Sequence, residues 1–455
     1  MNTTTVAYFA EGSRTSCVWG AATTLYCLAA ALACGCTDIP FLILATINAA
    51  VCSLMIFAPG SGPFSLNKFI NLFILIFFVL ANSVQYASGA CATTFAATFS
   101  RDAYLVFEGL TFAGLLAFNG VYLAVYFPAS RRRGRSLSRT RRKAGATRLV
   151  VLSAAAAVVI FAFCGFDIPT MFSRGGWQRY ADSSWMAGRQ EVMLLFQRVV
   201  RPVPACCLLI GILTGAGSRR IAVLLAIALA ASFPTAMPRS LAAALWLPPV
   251  LAVAARYLHR DAAMLLMLFC ILIAFPLLDS FRYADEGRDI EYGTRYFNTL
   301  NYDASQMTMA AVETDTVTGG RQLLGAVAFF VPRRMWPDKP EGSGHLIAGM
   351  RGAAYRNVSM PWFGEGYVNF GWTGVAVFTL VLALAAAACD ARFRPKDICG
   401  GNGVISYGYY LILIASILFV MRGSLMASLS ALTGNIVSYV ACCLATTRRQ
   451  SRTHA

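Results

Sequence analysis

The sequence predicts an all-α polytopic integral membrane protein with about 12 transmembrane helices and one large loop on the outer side. Three observations predict it. The chain has 455 residues, of which 58% are hydrophobic and only 13% charged, about half the ~25% charge of soluble proteins. Apolar runs of about twenty residues recur from end to end, each long enough to cross ~30 Å of hydrocarbon. The lysines and arginines of the short loops all fall on one side once the spans are counted. Alternating segments of about ten residues, which mark a membrane barrel, are missing.

In chain order the spans are expected at 17–35, 39–58, 68–89, 104–127, 149–169, 192–213, 219–236, 240–258, 261–279, 362–388, 404–421 and 424–446. Loop 128–148 carries Arg131, Arg132, Arg133, Arg135, Arg139, Arg141, Arg142, Lys143 and Arg148, which assigns it to the cytoplasm. The same count places Arg219/Arg220, Arg256/Arg260, Arg392/Arg394 and the tail with Arg448 inside, and both termini with them. Two larger loops then lie outside, 170–191 and 280–361. The latter contains nine basic and nine acidic residues. It is near neutral, and its apolar pieces 296–312 and 322–332 argue that it folds. The whole chain, 1–455, reads as a single membrane domain, and the loop 280–361 as the carrier of its chemistry.

The net charge of +17 would suggest nucleic acid in a soluble protein. Here it comes from the topogenic basic loop and from outward arginines, so no nucleic-acid partner is expected. The 14 cysteines have no metal-ligand spacing, and most lie inside apolar runs, where they act as small hydrophobes. No disulfide framework, metal site or cofactor is expected.

Charge, rings and helix breakers concentrate between Arg321 and Gly374. Gln322–Val331 is too short to span and suits an interfacial or re-entrant helix. It would deliver Arg333 and Arg334 to the membrane surface. Asp338 and Lys339 sit between Pro337 and Pro340 in a rigid turn. Trp336, Trp177 and Trp362 offer flat faces to sugars, although an interfacial anchor is the commoner use of a single tryptophan. Glu365 and Asn369 share a helix face at i, i+4, and Gly366, Gly371 and Gly374 permit close helix packing. A carboxylate there serves as a base or holds an arginine.

A second arginine set lies earlier. Arg198 and Arg201 share a face at i, i+3 about two turns into a span, where charge is costly and marks function. Pro202 and Pro204 should kink that helix. Arg239 follows Pro238 at an outer helix mouth. Together with Arg333 and Arg334 these guanidiniums suit a diphosphate; snorkelling to headgroups is the alternative. His345, the only histidine expected outside, and Asp303 join Glu365 as candidate bases. No glycine-rich nucleotide loop or protease motif occurs.

At these residues the chain resembles the bacterial O-antigen polymerases, the oligosaccharide repeat-unit polymerase family. The resembling pieces are Phe64–Lys68 leading into a span that ends Gln85-Tyr86, Pro234–Arg239, Tyr302-Asp303-Ala304, Pro332–Pro340, Gly364–Gly371 and Arg422-Gly423. Arg333 and Gly344 are separated by ten residues, similar to a spacing in periplasmic loops of the family. No equal second copy occurs in 170–191. The resemblance implies a GT-C-like glycosyltransferase of the bacterial inner membrane with its active site facing the periplasm. It implies block transfer of a growing glycan from undecaprenyl diphosphate onto a new lipid-linked repeat unit. A chain-length-regulating copolymerase, a flippase and membrane lipids would be its partners. The reading is of a metal-independent, inverting enzyme: Arg198, Arg201, Arg239, Arg333 and Arg334 neutralise the leaving diphosphate, and Glu365, Asp303 or His345, in that order, is the base. An O-antigen ligase acting on lipid A-core, or a lipid-glycan flippase, is the alternative.

Overall fold

The computed structural model describes residues 14–58, 63–92, 95, 98–132, 143–173, 180, 182, 190–258, 260–274, 276–277, 293–393 and 403–448. Among them, nine helices are long and apolar enough to cross a membrane, which fits a polytopic membrane protein. The expected spans at 219–236 and 261–279 appear as shorter helices, Ser218–Ala231 and Arg260–Phe269, the latter continued by a π segment Cys270–Ala274. That at 404–421 appears as a shorter apolar helix segment of 17 residues, Ser406–Arg422. The only strand pairing among the described residues is a two-residue antiparallel bridge, Lys143 to Arg448 and Ala144 to Thr447.

The chain packs as two compact units. Unit 1 comprises 1–132, 258–392 and 420–428; unit 2 comprises 133–257, 393–419 and 429–455.

In unit 1 the chain enters through α1 (Arg14–Ala33) and α2 (Ile39–Phe57). Asp38 caps α2 by accepting the Phe41 N–H at 3.4 Å, which satisfies one of the orphan donors of a helix start. Next is α3 (Leu66–Ser88), the central helix: 89% of its apolar window is buried, against 28–61% in the other spanning helices. Its start is capped twice. The Ser65 hydroxyl accepts the Lys68 N–H at 3.2 Å, and the Asp390 carboxylate accepts the Leu66 and Asn67 N–H groups at 2.9 and 3.1 Å. A π segment, Ile74–Leu80, interrupts it. Against α3 packs α4 (Arg101–Arg132). Asn119 of α4 and Asn67 and Asn71 of α3 exchange side-chain hydrogen bonds of 3.0–3.1 Å, so this interior is polar as well as aromatic.

In unit 2, α5 (Ala146–Phe163), α6 (Glu191–Thr214) and α7 (Ser218–Ala231) pack together. Phe163 stacks on Phe196 with ring centroids 3.7 Å apart, inside a core of Ile160, Met171, Met193 and Ala231. Beside them lie α8 (Arg239–Tyr257), which carries Pro248 and Pro249, and most of α14 (Gly403–Arg422) and α15 (Leu425–Thr446).

The described part of the expected outer loop 280–361 folds within unit 1. Two 3-10 turns, Gly293–Asn298 and Leu300–Tyr302, precede α10 (Ala304–Glu313), α11 (Arg321–Val327) and α12 (Ser343–Met350); α9 is Arg260–Phe269. Gln85 of α3 ties this segment down, donating to the carbonyls of Phe297 and Tyr302 at 2.8 and 2.9 Å.

The span expected at 362–388 is not one straight helix. Within α13 (Trp362–Arg392) the backbone reverses at Phe370 (φ −143°, ψ 22°) and Gly371 (φ 62°, ψ −149°). The short arm 362–369 folds back on the long arm, so that Gly366 lies against the backbone of Gly374 and the Trp362 indole donates to the Phe378 carbonyl at 2.9 Å. The sequence reading gave these glycines to a separate neighbouring helix. Gly366 and Gly374 instead face each other within a helical hairpin, and the long arm, 372–392, still covers about 30 Å.

Candidate functional site

The segments that carry the family resemblance, apart from Pro234–Arg239, fall in unit 1. There Gln85, Tyr302-Asp303 and Arg422 are joined by direct hydrogen bonds. Gln85 holds Tyr302. Asp303 is 1% exposed. Its Oδ1 accepts from the Ser359 hydroxyl at 2.6 Å and from Arg422 Nη2 at 3.2 Å, and its Oδ2 from the Ser359 N–H at 3.2 Å. Arg422 Nη2 also donates to the Leu300 carbonyl at 2.9 Å.

Glu365, on the short arm of the hairpin, is 2% exposed. Its Oε2 accepts from the Ser343 hydroxyl at 2.6 Å and its Oε1 from the Leu425 N–H at 2.8 Å. It therefore caps the start of α15 and fastens α12 at the same time. The sequence left it as a base or as the holder of an arginine; its bonded partners are a serine and a backbone amide. Asn369, expected on the same face, receives the Leu323 N–H on its Oδ1 at 2.7 Å and donates to the Glu365 carbonyl at 2.8 Å. Donors from Thr318 and Gly320 reach the Val368 and Asn369 carbonyls at 2.7 and 2.9 Å, so the open C-terminal end of the short arm is satisfied.

The turn Pro332–Pro340 is locked from within. Lys339, 8% exposed, donates its ammonium to the carbonyls of Phe329 and Val331 at 2.7 and 2.9 Å. These carbonyls follow α11, where a cation opposes the negative end of the helix dipole. Arg333 Nη1 donates to the Lys339 carbonyl at 2.9 Å and Arg321 Nη2 to that of Asp338 at 3.1 Å. Arg333 and Arg334 are exposed and Trp336 is half-buried. The exposed Phe330 and Met335 flank the arginines.

Immediately after this turn stands Glu341. Its carboxylate meets His345 Nε2 at 2.7 Å, and both side chains are open to solvent, 54% and 41% exposed. Sequence reading named His345 but not its partner, although the i, i+4 spacing was a legible signal. Gly344 presses against the carbonyls of Val358 and Ser359, which brings α12 beside the Asp303 anchor.

In unit 2, Arg198 lies on the π segment Phe196–Val200 and Arg201 at the break before Pro202. Arg201 is 2% exposed, and its carbonyl accepts from the Ser232 hydroxyl at 3.1 Å. Arg198 is half-buried, its Nε is buried without a hydrogen-bond partner, and its backbone lies against Gly434. Arg239 is half-buried at the first residue of α8, where the exposed N–H groups also favour an anion. Arg198, Arg201 and Arg239 thus belong to unit 2, and Arg333, Arg334, Asp303, His345 and Glu365 to unit 1. Trp362 is engaged inside the hairpin, its ring 5.0 Å from that of Phe378. Trp177 lies outside the described residues, as does most of the basic loop.

The sequence reading also passed over a buried acid in a span. Glu108 of α4, 0% exposed, accepts from Asn48 at 2.7 Å and from Asn82 at 2.9 Å. The depth argument that singled out Arg198 and Arg201 applied to it equally.

Comparison of the chain with protein-family models, with curated proteins and with solved structures finds no match.

Proposed function

We propose that the chain is a glycosyltransferase of the bacterial inner membrane, with twelve spans in a GT-C-like arrangement and cytoplasmic termini. It polymerises undecaprenyl-diphosphate-linked repeat units by moving the growing glycan onto a new lipid-linked unit. The observation that carries this reading is the juxtaposition on one short stretch of two exposed guanidiniums, Arg333 and Arg334, with an imidazole held by a carboxylate, His345 and Glu341. A diphosphate leaving group needs fixed positive charge, and an acceptor hydroxyl needs a base.

In this reading the acceptor hydroxyl oxygen attacks the anomeric carbon of the donor glycan. The bond from that carbon to the diphosphate oxygen breaks, and the diphosphate departs with the electron pair toward Arg333 and Arg334. The hydroxyl proton passes to His345 Nδ1. Its Nε2–H faces Glu341, which fixes the tautomer and stabilises the imidazolium that forms. Direct displacement inverts the anomeric carbon. Asp303 and Glu365 are then anchors: each is closed from solvent, with its oxygens engaged by Ser359 and Arg422, or by Ser343 and Leu425. Arg198, Arg201 and Arg239, which lie in unit 2, have no step in this reading. A chain-length-regulating copolymerase and a flippase complete the proposed system.

The test is polymerisation by purified protein in detergent, with lipid-diphosphate-linked repeat unit as sole substrate and a chelator present. The expected result is a ladder of multimers, lost in Arg333→Ala and in His345→Ala. Transfer only after lipid A-core is added would replace the polymerase by a ligase. Glycolipid crossing a liposome membrane with no transfer would replace it by a transporter.

A further inference from the structure

Glu108 lies about two turns into α4, roughly 10 Å along the helix from its start. Residues from three helices of unit 1 close around it. Asn48 of α2 donates to Oε2 at 2.7 Å and to the Glu108 carbonyl at 3.1 Å, and Asn82 of α3 donates to Oε1 at 2.9 Å. All three side chains are 0% exposed. Among the described residues, its side chain is bonded only to these two carboxamides and to no cation.

The donor and acceptor inventory does not close. An ionised carboxylate only accepts, and each carboxamide brings one accepting oxygen. With both amide nitrogens turned to Glu108, the Asn48 and Asn82 Oδ1 atoms are buried with no hydrogen-bond partner, as is the Thr111 Oγ1 one turn further along α4. The cluster therefore has an excess of oxygen acceptors and, with the acid ionised, an unneutralised negative charge in a place where both are costly. One positive species corrects both faults. A proton on Glu108 gives the acid an O–H for a turned carboxamide oxygen, and a small hard cation takes carboxylate and carboxamide oxygens as ligands.

We propose that Glu108, Asn48 and Asn82 form a buried binding site for a monovalent cation, a proton or a sodium ion, that links α2, α3 and α4. The bound species neutralises the acid and draws the three helices together, so occupancy of the site sets the packing around the central helix. Among the described residues, the titratable group facing Glu108 from α2 is the Cys52 thiol, and α3 presents the Asn82 carboxamide. The proposal is independent of the glycosyltransferase reading, because it concerns binding and not transfer.

The experiment uses the full chain in nanodiscs and two readouts. Infrared difference spectra of wild type against Glu108→Gln report the carbonyl stretch of a protonated carboxylic acid as pH is varied. Thermal stability is measured in sodium chloride and in choline chloride. Proton binding gives an acid band at neutral pH that E108Q lacks and that disappears on alkaline titration. Sodium binding gives a carboxylate at neutral pH and a melting temperature raised by sodium, not choline, in wild type alone. An ionised carboxylate at neutral pH, with no sodium effect on stability, overturns the proposal. Should E108Q not fold, the wild-type titration and sodium response decide by themselves. Asn82→Ala, which removes one carboxamide and leaves the acid, must then shift the midpoint.

Discussion

Arg422 and Asp303 form an ion pair of 3.2 Å across 119 residues of sequence, and it joins the turn before α10 to the C-terminal end of α14. The acid side chain is 2% exposed and the guanidinium 33%. Removing one partner of a closed pair leaves the other charge unmatched, at a cost of about 3 kcal/mol. Arg422→Met and Asp303→Ala are each expected to lower stability by about that amount. Asp303→Ala should be the worse, because it also frees the Ser359 hydroxyl and N–H. Denaturant unfolding in mixed micelles measures the difference. Equal stability of all three proteins would exclude an anchoring role.

The Gly366–Gly374 contact sets the hairpin. A Cβ on Gly374 would overlap the Gly366 carbonyl, and Gly371 has φ 62° and ψ −149°, a backbone region open essentially to glycine alone. Gly374→Ala and Gly371→Ala should each cost about 2–3 kcal/mol or abolish folded protein. Thr373→Ala, at an exposed neighbour, should stay within about 0.5 kcal/mol. Folded yield by size-exclusion chromatography is the readout.

Lys339 closes the Pro332–Pro340 turn. Lys339→Met keeps the stem and removes the donor, leaving the Phe329 and Val331 carbonyls short of it. A loss of about 1–3 kcal/mol of local stability is expected, visible as faster hydrogen exchange over 328–340. Unchanged protection there would mean the turn is held by its prolines alone.

The two kinds of acid predict opposite kinetics. If His345 is the base, His345→Ala lowers turnover by about 10²-fold or more. Glu365→Gln, which keeps an oxygen for the Leu425 N–H, should leave turnover within a few-fold. The reverse ranking would return the base to Glu365.

Asp38 supplies a pH test. Hydrogen bonds from Arg101 and Tyr86 outweigh desolvation and hold its carboxyl down at about 2, against an ordinary value of 3.8. The folded value is the lower one. The contribution is therefore complete above about pH 4 and is lost as pH falls through about 2. Asp38→Asn should be less stable than wild type at pH 6. The two should converge as acid is added, as followed by the unfolding midpoint across the pH series.

Membrane embedding was legible in the sequence because it is a local property. A run of apolar residues long enough for hydrocarbon is complete in itself, and each such run could be read without its neighbours. The two arginines and the histidine of the candidate site were legible for a similar reason, since charge and helix breakers stood out against an apolar chain. The partner of His345 is also legible, because Glu341 lies at i, i+4 on the same chain segment.

What only the tertiary structure decided depends on partners far away in sequence. Glu365 reads as an available carboxylate until Leu425, 60 residues on, donates to it. Glu108 reads as one acid in a span until Asn48, 60 residues earlier, and Asn82 enclose it. The glycines of Gly364–Gly374 announce a close approach, but periodicity does not say to what, and the reversal at Phe370 and Gly371 turns them on each other. Hydrophobic pattern is fixed by the solvent a helix meets. The pairing of buried polar groups is fixed by which helices meet each other, and that choice belongs to the whole chain.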